Sequence, residues 1–106
     1  MGKYLGLFVS EAGEHLEALA ADLVRLERTG REGGDTALVV DGMFRHAHSV
    51  KGMASAMQFD GIARLAHGVE DILGVLRGRG GKVPAEVVDA LLLAADGLQA
   101  MVVGAG

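Results

Sequence analysis

The chain has 106 residues, half of them apolar, which is enough for one domain with one core and too few for a core plus a separate catalytic domain. Its formal charge of −4, with acidic and basic residues interspersed, gives no basic face for nucleic acid, and the absence of cysteine removes disulfides, thiol catalysis and cysteine-based zinc sites together. The longest purely apolar run, ALLLAA at 90–95, is far below the roughly 20 residues of a membrane span, so a cytoplasmic protein without membrane insertion is expected.

In chain order, Leu5, Val9, Ala12, Leu16, Leu19, Leu23 and Leu26 alternate steps of four and three, one stripe on a first helix. That helix should stop near RTG, with Gly30 in the left-handed conformation that closes many helices. A second stripe, Val39, Met43, Ala47, Val50, Ala54 and Met57, predicts a helix over 36–57 capped by Asp35. Asp60 should cap a third helix with the stripe Ile62, Leu65, Val69, Ile72 and Leu76, ending at Arg77 and Gly78 before the connector GRGGK. Pro84 suits the first turn of a fourth, whose stripe is Val87 or Val88, Leu91, Ala95, Leu98, and Met101 or Val102. Four amphipathic helices with short joins, no Trp and one Pro predict an all-α, antiparallel up-and-down four-helix bundle.

The interior of the second helix carries RHAHSVKGM, where a helix would favour Ala or Leu. At about 100° per residue His46 and His48 point roughly 160° apart, so they cannot share a face. His46 flanks the core residues Met43 and Val50; His48 groups with Lys51, Gly52 and Ser55 away from it. A surface histidine is ordinarily a solvated polar residue, but this one has informative neighbours. Lys51, one turn on, disfavours the imidazolium, keeps the nucleophilic neutral ring and could pair with a phosphoryl group attached to it. Gly52, at i+4, removes a side chain that would crowd the imidazole, at a cost of about 1 kcal/mol of helix stability.

The third helix carries LAHGVEDIL, with His67 and Glu70 both off its apolar stripe. If this helix packs beside the second, Glu70 can accept a hydrogen bond from one ring nitrogen of His48, fixing the tautomer and leaving the other nitrogen's lone pair outward. A metal-binding bundle using His46, His48, His67 and the Glu11/His15 pair is disfavoured by the opposed directions of His46 and His48. An enzyme acting alone is disfavoured by the lack of a nucleotide-binding loop, GRGGK having neither the spacing nor the terminal Ser or Thr. A non-catalytic docking bundle stays open; it predicts no special role for Gly52 or Glu70.

FRHAHSVKG followed by ARLAHGVEDIL resembles the histidine phosphotransfer (HPt) domain family, and within it the N-terminal phosphotransfer domains of CheA-type chemotaxis histidine kinases. The family's Phe, Arg, two small residues, acceptor His, two residues, Lys and Gly fall on Phe44, Arg45, His48, Lys51 and Gly52, and its second motif on His67 and Glu70. LFVSEAGEHLEAL resembles the opening helix through Phe8, Glu11 and Glu14, and LLLAADGLQAMV the fourth through Leu91, Leu92, Asp96 and Leu98. The resemblance implies that a kinase's ATP-binding domain phosphorylates His48 and that the phosphoryl group passes to an aspartate of a response regulator receiver domain. It also implies that Glu70 orients His48, that Lys51 is the charge partner of the phosphate and that His67 joins the network. No cofactor would be bound by this domain, ATP and Mg belonging to its partners.

The chain departs from the family pattern at His46, at Met53 and Ala56, and at Gln58, where the family has Gly before Phe. It also leaves no residues for the fifth helix the family tends to add. Residues 1–106 are thus expected to be a single HPt domain, the N-terminal piece of a larger kinase, with a freestanding phosphorelay protein as the alternative.

Overall fold

The computed structural model describes residues 2–80 and 83–106. Four helices follow one another: α1 (Gly2–Arg31), α2 (Ala37–Ala56), α3 (Asp60–Gly78) and α4 (Ala85–Ala105). At 1.5 Å per residue the 30 residues of α1 set the molecule's length, and the whole measures 46 × 20 × 20 Å. Packing runs round a ring: α2 contacts α1 and α3, and α4 closes the ring against α1 and, less extensively, α3. The expected up-and-down bundle is the observed one.

The core is aliphatic. Ala12, Leu16, Leu19, Leu23 and Leu26 of α1 face Val40, Met43, Ala47, Val50 and Ala54 of α2, joined by Ile62, Ala66, Val69, Leu73 and Leu76 of α3 and Val88, Leu91, Ala95, Leu98 and Val102 of α4. Phe8 is also buried, its ring edge-on to that of Phe59 with centroids 5.2 Å apart, and this pair seals one end of the core. By length and composition α4 could cross a membrane, being 21 residues long with an 18-residue stretch of mean hydropathy 1.7; here its apolar stripe forms the fourth wall of the bundle.

Several boundaries differ from expectation. The first helix continues through Gly30 to Arg31, and Gly33, at φ +73°, makes the left-handed turn. Gly34 N–H donates to Thr29 O at 2.9 Å and Gly33 N–H to Gly30 O at 3.2 Å, the paired bonds that satisfy a helix's last carbonyls. Of the three glycines here, Gly33 is the one whose left-handed turn completes this bond pair. Asp35 does satisfy an orphan donor of α2, its Oδ1 accepting from Ala37 N–H at 2.9 Å, although Thr36 occupies the cap position itself.

At the other end of α2 the same closing pair recurs, Phe59 N–H to Ala54 O at 2.9 Å and Gln58 N–H to Ser55 O at 3.0 Å. The left-handed residue here is Gln58, at φ 64°. Phe59 then caps α3, and Asp60 is its first residue, where its charge complements the helix dipole. Gly81 and Lys82 of the expected GRGGK connector lie outside the described residues.

The correction that matters most is the rotation of α3. Leu65 is only partly buried and Ile72 is exposed, whereas Ala66, Leu73 and Glu70 are buried. The seam runs through 62, 66, 69, 73 and 76, which turns Glu70 inward rather than leaving it off the core.

Candidate functional site

Because α2 and α3 pack side by side, residues facing each other across their seam are set by helical register. His48 leaves α2 at the edge of this seam with 62% of its side chain exposed. Glu70 meets it from α3 with 8% exposed, the one buried charged residue among those described. A buried carboxylate must be paired or it becomes protonated. Glu70 is paired twice: Oε2 is hydrogen-bonded to His48 Nδ1, and Oε1 accepts from Lys51 Nζ at 2.6 Å.

Burial pushes the Glu70 carboxyl upward, but the hydrogen bonds from Lys51 and His48, with their charges, outweigh it and hold the group below its ordinary value. Glu70 is therefore ionised at neutral pH and can only accept. Since His48 Nδ1 faces an acceptor with no proton to give, the proton sits on Nδ1, and in the neutral ring the lone pair is on Nε2. Nε2 has no partner among the described residues. The arrangement is an exposed imidazole whose tautomer is set by a buried anion, itself held by a cation from the same helix as the histidine.

Lys51 and Glu70 thus lie where the sequence reading placed them relative to His48, except that the Lys51 ammonium is tied to Glu70. Gly52 is exposed, and a Cβ added there would meet no atom within 4 Å. His67 is not brought into this cluster: its side chain is 60% exposed and Nε2 lies 3.5 Å from Oδ1 of Asp71, its neighbour one turn on. The inward turn of α3 that buries Glu70 carries His67 out to solvent.

His46 faces α1 instead. Its Nδ1 is 3.0 Å from Nδ1 of His15, so one ring donates and the other accepts, and its Nε2 is 3.9 Å from Asp22 Oδ2. His46 and His48 serve different helix interfaces.

Sequence reasoning gave no role to the surroundings of Phe44. Its ring lies within 9° of parallel to the His48 imidazole, centroids 6.3 Å apart, and the Arg77 guanidinium sits over it, 3.9 Å from the centroid. Arg77 Nη1 donates to Asp41 Oδ1 at 3.2 Å, and Asp41 Oδ2 takes Arg45 Nε at 3.1 Å. The i, i+4 spacing of Phe44 and His48 was a usable signal; the reach of Arg77 from α3 was not.

The fold and site together define a four-helix bundle presenting one oriented histidine. A model of the Hpt domain family matches residues 3–101, and the chain belongs to that family. It is 36% identical over 102 residues to the chemotaxis protein CheA of Bacillus subtilis, covering 96% of this chain and 15% of that protein. With CheA of Halobacterium salinarum the identity is 37% over 100 residues, 94% of this chain and 14% of the relative. The chain thus spans about a seventh of the length of these relatives.

Among solved structures, the CheA phosphotransferase domain from Thermotoga maritima superimposes with a TM-score of 0.86 at 32% identity, over 96% of this chain and 93% of that one. The phosphorylated P1 domain of CheA3 in complex with CheY6 from R. sphaeroides gives 0.86 at 31% identity, over 98% and 78% of the two chains.

Proposed function

We propose that this domain is the phosphoacceptor and phosphoryl carrier of a CheA-type two-component pathway, with His48 as the acceptor. The carrying observation is the hydrogen bond between His48 Nδ1 and the buried, ionised Glu70, because it leaves Nε2 as the exposed nucleophile. The Nε2 lone pair attacks the γ-phosphorus of ATP held by a kinase ATP-binding domain. The N–P bond forms as the bond to the leaving ADP oxygen breaks.

Positive charge then develops on the imidazole, which still carries its proton on Nδ1, and the Glu70 carboxylate stabilises it through that proton. In the second step a carboxylate oxygen of a receiver-domain aspartate attacks the same phosphorus, and the N–P electron pair returns to Nε2. Lys51 holds Glu70 and has donors left for the phosphoryl oxygens. The solved relative in complex with CheY6 supports a receiver as recipient. Use of ATP and a receiver places the domain in the cytoplasm, and a CheA-type parent implies dimerisation and ATP-binding regions elsewhere in the full protein.

Incubation with the ATP-binding kinase core of a CheA protein and γ-labelled ATP should label His48, as a phosphoramidate removed by mild acid and resistant to base. His48→Gln should lose the label with an unchanged helical spectrum. Label persisting in that variant and mapping to His46 would refute the assignment.

A further inference from the structure

We propose that Arg77 is a positioning residue for His48, acting through Phe44; this rests on His48 being the acceptor. The hydrogen bond to Glu70 restrains the imidazole at one atom only, and the ring, 62% exposed, can still swing about that bond. A nucleophile gains rate only when its lone pair is aimed, so a second restraint has value. Phe44 supplies it, its ring being within 9° of parallel to the imidazole at 6.3 Å. Offset, near-parallel rings at that separation are within the favoured range for aromatic pairs.

Phe44 is itself only partly buried, so its own orientation needs support. The support comes from α3. Gly74 lies under the Phe44 edge, an added Cβ being 3.5 Å from Cε2, and Arg77 covers the ring with its guanidinium at 3.9 Å. Arg77 is in turn fixed by Asp41, which also anchors Arg45, so a permanently charged group is held over the aromatic face. Glu70 and Arg77 are seven residues apart, two turns along one face of α3. That helix therefore restrains His48 twice, directly at Nδ1 and indirectly through the Phe44 ring.

The test uses this chain with a CheA kinase core and ATP, together with NMR three-bond couplings that report χ1 of His48. Arg77→Ala should lower kcat for His48 phosphorylation about two- to fivefold, the rate equivalent of an exposed cation–π contact, with KM unchanged. The His48 couplings should move toward rotamer averaging. Arg77→Lys should restore part of both. Phe44→Leu should give the same rate loss, and adding Arg77→Ala to it should cost nothing more, since the two act in series. A raised KM at constant kcat would mean that Arg77 serves partner docking and would overturn the proposal, as would unchanged rates and couplings. Absence of label on His48 in the parent would refute the acceptor reading instead, and the couplings would still decide whether Arg77 orders the ring.

Discussion

Lys51 Nζ lies 2.6 Å from Glu70 Oε1, so that a cation from the helix of His48 and an anion from the next helix are locked together directly beside the imidazole. The pair occupies one carboxylate oxygen and leaves the other for His48 Nδ1. Removing either partner has consequences for both the fold and the chemistry.

Glu70→Ala should slow phosphorylation of His48 roughly ten- to hundredfold, the rate equivalent of a hydrogen bond to a charged group of about 1.5–3 kcal/mol. It leaves the Nδ1 proton without its acceptor and Lys51 without its counter-ion. The variant should remain helical by circular dichroism, because the apolar core does not depend on this position. Single-turnover phosphorylation at parental rate would show that the carboxylate is incidental.

Stability should depend on Glu70 at acid pH. Its folded-state value is held below the ordinary 4.5, so as pH falls the unfolded chain takes up the proton first. The contribution is thus fully present above about 4.5 and is lost as pH drops through the lower folded value. Denaturant midpoints between pH 6 and 3 should fall more steeply for the parent than for Glu70→Gln, the two curves converging at the acid end. Parallel curves across that range would contradict the pairing.

Gln58 holds a left-handed φ of 64° with a β-carbon, a conformation costing roughly 1–2 kcal/mol for a non-glycine residue. Gln58→Gly should relieve it, offset in part by the greater freedom of glycine in the unfolded chain, for a net gain of up to about 1 kcal/mol. The measurement is the shift in urea midpoint at constant slope. A loss of stability would mean that the Gln58 side chain contributes more than its backbone costs.

How far the site could be read from sequence depends on the kind of contact. His48, Lys51 and Gly52 share one helix, so their relative directions follow from a fixed 100° step. The sequence pattern sets Glu70 opposite His48, as the structure has it, but leaves it off the core, where the structure buries it. The stripe through Leu65 and Ile72 looked as good as the true seam through Ala66 and Leu73, and alanine carries little weight in a pattern search although it permits close helix approach. The resemblance puts His67 in the network, whereas the structure leaves it in solvent beside Asp71, a pairing visible as i, i+4. Arg77 on Phe44 required the register of α3 against α2, which no periodicity contains.

Gly52 sits in the interior of α2, exposed, with no atom within 4 Å of where a β-carbon would stand, so nothing inside the domain requires glycine there. Gly52→Ala should raise stability by roughly 1 kcal/mol through helix propensity alone. The new methyl would lie one turn beyond His48, on the flank that a kinase or receiver must approach to reach Nε2. Transfer should therefore slow although the fold is firmer. Gly104→Ala provides the control: it adds a methyl to open space on α4, which is not a neighbour of α2 in the ring of helices, and should leave transfer unchanged. Thermal midpoint and single-turnover rate on the same preparations test both halves. A Gly52→Ala variant that melts higher but transfers at the parental rate would remove partner access as the reason for the glycine.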